Sequence, residues 1–130
     1  SKLHHMTLKS CGLSRQKITY LKSLSNALIN KSLNPNTWEK LADEEIISEL
    51  TKIKGIGRWT AEMYLIFNLC RPDVFPVKDV GLIKGICRCY NLKYPITEHH
   101  AITISSRWKP WRSVATWYLW RSLDPIPVKY

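Results

Sequence analysis

Two glycines set two residues apart, Gly55 and Gly57, interrupt a run of helical stripes and constrain the folding of this chain more than any other feature. In Leu50-Thr-Lys-Ile-Lys-Gly-Ile-Gly-Arg-Trp-Thr-Ala61 one helix is expected to end near Lys52, turn through Gly55-Ile56-Gly57 and restart at Arg58. Glycines allow so sharp a bend and leave backbone N–H groups bare at a helix N-terminus, a place that holds a phosphate without side chains. Ile53 and Ile56 are placed to pin the turn, while Lys54 and Arg58 flank the phosphate position.

The charge balance agrees with that reading. Twenty Lys and Arg face ten Asp and Glu, a formal net charge of +10 over 130 residues. A surplus of this size on one small domain is the electrostatic footprint of a nucleic-acid partner. No run approaches the about 20 apolar residues that would span a membrane, and no signal-peptide pattern is visible at the start. The cysteines (Cys11, Cys70, Cys87, Cys89) contain no Cys-x-x-Cys, and the histidines are two adjacent pairs, His4-His5 and His99-His100. Neither set has zinc-ligand or iron–sulfur spacing, so reduced thiols are expected.

Periodicity predicts an all-α chain, a single helical domain over residues 1–130. Ser14 can cap a helix reaching about Lys31, with Ile18, Leu21, Leu24 and Leu28 as its apolar stripe. Asn34-Pro35-Asn36 reads as a turn. Asp43 opens a second helix whose Ile46, Ile47 and Leu50 face the core. A third runs from Arg58 to about Cys70, with Trp59, Met63, Ile66, Phe67 and Cys70 on one face. Pro72 and Pro76 force an extended loop, after which Asp79 begins a helix to about Cys89. Tyr94-Pro95 breaks the chain again, and further helices are expected over Thr97 to Ser106 and Trp111 to Ser122, the last stopped by Asp124-Pro125-Ile126-Pro127. On that last helix Trp111, Val114, Ala115 and Tyr118 have the spacing of a core face, with Trp117 and Trp120 on another. Asp73 reads as solvated or capping. Ser1-Lys-Leu-His-His carries no start residue, so the chain reads as a processed form or a fragment.

Three blocks taken together carry a resemblance. They are Ile53-Lys-Gly-Ile-Gly-Arg-Trp-Thr-Ala61, Asp73-Val-Phe-Pro-Val-Lys-Asp79, and Trp108-Lys-Pro-Trp-Arg-Ser-Val-Ala115 with Trp120. Their order and spacing resemble the helix-hairpin-helix (HhH-GPD) DNA glycosylases over about Leu13 to Trp120, most closely the alkylation-repair branch of 3-methyladenine DNA glycosylase II. The resemblance implies a helix-hairpin-helix fold, duplex DNA as partner, and hydrolysis of the N-glycosidic bond of alkylated purines such as 3-methyladenine. It implies that Asp79 is catalytic, a role compatible with its expected place as a helix N-cap, because the helix dipole favours the ionised form. A carboxylate there would stabilise the positive charge that glycosidic cleavage develops on the sugar and help position the water.

The same resemblance makes Trp59 and Trp120 walls of the base pocket, with Met63 and Tyr64 nearby, and makes Lys54, Gly55, Ile56, Gly57 and Arg58 the DNA-binding hairpin. Electron-poor methylated purines suit such aromatic surfaces. The lyase branch has a lysine where this chain has Trp59, so no Schiff base forms there and a monofunctional enzyme is expected. No cofactor is required; similar hairpins suggest a monovalent cation, Na or K, on the carbonyls of Thr51, Ile53 and Ile56. Arg112 is left open between bracing the fold and touching DNA, and Lys78 departs from the pattern without interpretation.

Nothing before Leu13 resembles the helical segment with which family members begin, so the domain is expected to lack that segment. The competing readings are a non-catalytic helix-hairpin-helix DNA-binding module or inactive glycosylase fragment, and a glycosylase for mismatched thymine or oxidised purines. The compartment expected of a DNA-repair activity is cytoplasm and nucleoid in a bacterium, the nucleus in a eukaryote.

Overall fold

The computed structural model describes residues 5–124, the side chain of His5 excepted. His4, the side chain of His5 and the Pro125-Ile126-Pro127 stop therefore fall outside what is described. Within them the chain is helical, without strands, as the periodicity predicts. No helix among them is long and apolar enough to cross a membrane. The α-helices are α1 (His5–Ser10), α2 (Arg15–Ile29), α3 (Asp43–Thr51), α4 (Arg58–Phe67), α5 (Val80–Cys89), α6 (Glu98–Ser105) and α7 (Arg112–Leu123). Two compact units are distinguished, one up to Ala61 and one from Glu62, so the boundary falls inside α4.

In the first unit Ser14 caps α2 as expected, its hydroxyl accepting the Lys17 N–H at 3.2 Å. The core-facing stripe of α2 is narrower than the sequence suggested. Ile18 and Ala27 are buried, whereas Leu21 and Leu28 are exposed. Pro35–Lys40 is a 3-10 helix rather than a bare turn, and it exists to seat Trp38. That indole is 1% exposed, and its Nε1–H donates to Glu49 at 2.6 Å, which satisfies the one polar atom it buries. Ile46, Ile47 and Leu50 of α3 pack inward as predicted. Asp43 opens α3 as expected, with Ala42 at the N-cap, and the Glu45 carboxylate accepts the Ala42 N–H at 2.8 Å. Asp43, Glu44 and Glu45 then crowd the first turn, where the dipole favours negative charge.

The second unit is built on α5 and α7, which pack along one another. Leu82, Ile86, Ala101 and Leu119 form its buried core, with Phe75, Val77, Ile96 and Trp108 against it. Gly85 makes the close approach possible: a Cβ there would stand 2.9 Å from the Leu119 carbonyl oxygen. The third predicted helix ends earlier than expected, at Phe67, and Cys70 is not part of it. Cys70 takes a left-handed conformation (φ 51°), and the next N–H, of Arg71, closes the helix end on the Leu65 carbonyl at 2.9 Å.

The expected core face of α7 is the largest correction. Trp111, Val114 and Tyr118 are 60%, 45% and 65% exposed, and Trp117 is exposed with them. The buried positions are Ser113, Thr116 and Leu119. The reason is polar: the Ser113 hydroxyl donates to the Arg71 carbonyl at 2.6 Å and accepts the Val74 N–H at 2.9 Å. The loop after α4 is thereby stitched to this face by hydrogen bonds, which an apolar stripe could not supply.

Candidate active site

Asp79 lies at the end of the proline-flanked loop. Pro76 is fully buried beneath it, and the Asp79 N–H donates to the Pro76 carbonyl at 2.8 Å. Its φ of −73° and ψ of 116° end the loop in an extended conformation, and its side chain caps α5 by accepting the Leu82 N–H at 2.6 Å. The same carboxylate oxygen, Oδ1, accepts the Trp120 indole Nε1–H at 2.8 Å. The Trp120 ring stacks on Phe67, with centroids 5.9 Å apart and planes within 16°. A partly buried carboxylate thus receives two N–H donors at a helix N-terminus. The two donors fix its orientation.

A second polar cluster holds the loop that carries Asp79. Arg112 donates Nε and Nη2 to the two oxygens of Asp73, at 2.7 and 2.9 Å, and Nη2 also reaches the Asp73 carbonyl at 3.1 Å. Asp73 Oδ1 accepts the Arg112 backbone N–H as well, at 3.3 Å, and the Ser113 N–H bonds the Pro72 carbonyl at 2.9 Å. The loop therefore caps α7 from outside, in place of its N-cap residue Trp111, whose side chain makes no cap hydrogen bond. Arg112 braces the fold, and Asp73 takes the capping role of its two expected ones, paired with Arg112 as well.

Arg112 hydrogen bonding holds the Asp73 carboxyl below the ordinary carboxylate range, with desolvation working in the opposite direction. The folded-state value is the lower one, so this stabilisation is in place above the ordinary Asp value of about 3.9 and is lost as pH falls below it. Arg112→Met is expected to destabilise the protein by about 1–3 kcal/mol. Urea melts at neutral pH and at about pH 3 check both points: the gap between parent and variant should narrow in acid.

The hairpin residues Lys54, Gly55, Ile56, Gly57 and Arg58 lie together in the first unit, between α3 and α4. The turn is closed by Ile53 N–H to the Leu50 carbonyl at 3.1 Å and Ile56 N–H to the Ile53 carbonyl at 3.0 Å. Its two glycines do different jobs. Gly55 has φ 95°, and a Cβ on it would fall 2.1 Å from the Tyr20 ring. Gly57 lacks a positive φ and faces open space: a Cβ there would meet nothing within 4 Å beyond its own chain neighbours. Arg58, the first residue of α4, makes a bidentate pair with Glu44, which holds the Glu44 carboxyl below its ordinary range.

Among the remaining expected pocket residues, Trp59 stands in the first unit at 50% exposure, while Met63 and Tyr64 are half-buried in the second. Lys78 is exposed. Sequence reasoning missed Gly81, Phe67 as the ring beneath Trp120, Tyr20 over Gly55, and Glu44 as the partner of Arg58. The signal for Gly81 was available: a poor helix former in the first turn, two residues after a capping aspartate.

Comparison with known proteins follows the same lines. The model of the HhH-GPD superfamily of base excision DNA repair proteins matches residues 2–112. DNA-3-methyladenine glycosylase 1 of Schizosaccharomyces pombe is 40% identical over 116 residues, which cover 88% of this chain and 51% of that protein. DNA-3-methyladenine glycosylase 2 of Escherichia coli is 32% identical, covering 87% and 37%. The chain thus spans about half the length, or less, of these curated relatives. Among solved structures, the S. pombe 3-methyladenine DNA glycosylase in complex with abasic DNA superposes with a TM-score of 0.84 at 38% identity, over 98% of this chain and 63% of that one. A DNA-3-methyladenine glycosidase of Bacillus halodurans gives 0.87 at 33% identity, over 95% and 57%. The chain belongs to the HhH-GPD superfamily of base excision DNA repair proteins.

Proposed function

We propose that this chain carries the catalytic part of a monofunctional DNA glycosylase that removes alkylated purines, such as 3-methyladenine, from duplex DNA. The observation that carries the reading is Asp79, held at the N-terminus of α5 by two N–H donors on one oxygen in a member of this superfamily. The named substrates of the relatives and the abasic DNA bound by the S. pombe enzyme support the choice of substrate class and partner. In the reaction the bond between C1′ and the base nitrogen breaks, the base leaves with the electron pair, and water adds to C1′ with loss of a proton. Positive charge builds on the sugar before the water bond is complete. The Asp79 carboxylate offsets that charge and orients the water, and its fixed hydrogen bonds spare it reorganisation at that moment.

Trp59, Met63, Tyr64 and Trp120 supply aromatic and polarisable surface for the extruded base. Trp59 occupies the position at which lyases carry a lysine, so no covalent intermediate forms and the product is an abasic site. Lys54, Arg58 and the backbone of Gly55, Ile56 and Gly57 hold the phosphodiester. Carbonyls near Thr51, Ile53 and Ile56 would hold a monovalent cation, Na or K. α3 ends at Thr51, the negative pole of its dipole, and the Ile53 carbonyl, which accepts the Ile56 N–H, has a second lone pair. The ion would tie the turn to the phosphate.

Glu44 competes for the hairpin's cation. Glu44→Gln weakens one anionic contact of Arg58 and removes a negative charge beside the phosphate site, so DNA affinity should rise about two- to fivefold at low salt and converge with the parent as salt increases. Fluorescence anisotropy on a labelled duplex across a salt series checks it. The function itself is tested by chromatographic detection of free base released from methylated duplex DNA, with strand breaks scored separately. Free base and intact abasic strands are expected. Salt-sensitive binding without release would favour the non-catalytic module.

A further inference from the structure

Glycine in the first turn of a helix is a poor choice unless space demands it. Gly81 is the second residue of α5, and the space around it is specific. A Cβ built there would lie 3.2 Å from Asp79 Oδ1, 3.3 Å from Trp120 Cδ1 and 3.4 Å from Trp120 Nε1. Those are the atoms of the Asp79–Trp120 hydrogen bond and the carbon beside it. Neither partner has easy room to yield. Asp79 Oδ1 is anchored to the Leu82 N–H at 2.6 Å, and the Trp120 ring is stacked on Phe67. Gly85, one turn further along, brings α5 close enough to Leu119 for the neighbouring Trp120 to reach the start of the helix.

We infer that Gly81 and Trp120 are positioning residues for Asp79: the missing side chain at Gly81 admits the Trp120 indole, whose N–H fixes the rotamer of the carboxylate. This rests on the reading of Asp79 as the catalytic acid and changes what Trp120 does within it. Trp120 acts through its Nε1–H on Asp79, with one ring face already given to Phe67, in addition to lending surface to the base. Phe67 in turn backs the indole so that the hydrogen bond keeps its line. The arrangement couples a sequence-distant tryptophan, 41 residues away, to the acid through a gap one methyl group wide.

The test uses single-turnover base release, DNA affinity and the ¹⁵N–¹H resonance of the Trp120 indole. Gly81→Ala and Trp120→Phe should each slow release about tenfold, the scale expected of a displacement of a few tenths of an ångström. DNA affinity should stay within about threefold in both, because neither residue is part of the phosphate-binding hairpin. In the Trp120→Phe background the added methyl at position 81 should cost little more, since the bond it disturbs is already gone. The indole N–H resonance should shift in Asp79→Ala and in Gly81→Ala. An unshifted resonance in Asp79→Ala, or additive losses in the double variant, would overturn the proposal. If Asp79→Asn loses release while Gly81→Ala and Trp120→Phe keep the parent rate, positioning fails and the glycosylase reading stands. If Asp79→Asn keeps the parent rate, that reading falls and the proposal falls with it. Thermal melts show whether either variant is merely unfolded; Trp120→Phe keeps the question decidable should Gly81→Ala be unstable.

Discussion

Gly55→Ala is expected to unfold the hairpin, and Gly57→Ala to leave the fold intact while weakening DNA binding. At Gly55 two costs coincide. The left-handed backbone alone penalises a residue with a Cβ by about 1–2 kcal/mol. The methyl would also stand 2.1 Å from the Tyr20 ring, which is tied at its hydroxyl to Gln16. Tyr20 cannot move away without leaving the hairpin uncovered, so a loss above about 2 kcal/mol is expected by denaturant melt. At Gly57 the protein itself offers no obstacle. A methyl there meets only what approaches from solvent, which in the proposed complex is a phosphate. Melting within about 0.5 kcal/mol of the parent, with DNA affinity down roughly tenfold or more, is the expected pair of results for Gly57→Ala. Equal affinity for parent and Gly57→Ala would remove the phosphate from the hairpin.

Asp79→Asn is the second large effect. Asparagine keeps the shape and the N-cap, since its carbonyl oxygen can still accept the Leu82 N–H, so the fold should survive. What disappears, in the proposed mechanism, is the charge that would face the developing cation. Loss of one preorganised electrostatic contact of this kind costs about a hundredfold to a thousandfold in rate. Binding should persist or strengthen slightly, because one negative charge has been removed near a polyanion. Rate lost with binding kept is the signature of a group used only in the transition state.

The sequence made some of this legible for physical reasons that can be named. Ser14, Asp79 and Thr97 were visible as helix starts because a capping side chain acts on its own backbone, within three residues. The Gly55-Ile56-Gly57 turn was visible because turn chemistry is local as well. Ile46, Ile47 and Leu50 were visible because their stripe faces a wholly apolar interior. The face of α7 was not. Ser113 and Thr116 are buried there because Ser113 bonds a loop 39 to 42 residues away, and periodicity carries no information about such partners. The site divided in the same way. The place of Asp79 at the start of α5 could be read from its capping position, whereas the different surroundings of Gly55 and Gly57 depend on where Tyr20 lies. Gly81 depends on where Trp120 lies. The Arg112–Asp73 pair joins two blocks that the sequence presented only as neighbours in a pattern.

The most direct test of the central claim is free-base release from one methylated duplex by the parent and by Asp79→Asn, with DNA affinity measured in parallel. Release by the parent, its loss by at least about a hundredfold in the variant, and matched affinities are the predicted result. Equal release by both proteins, or no release by either while both bind in a salt-sensitive way, would contradict it.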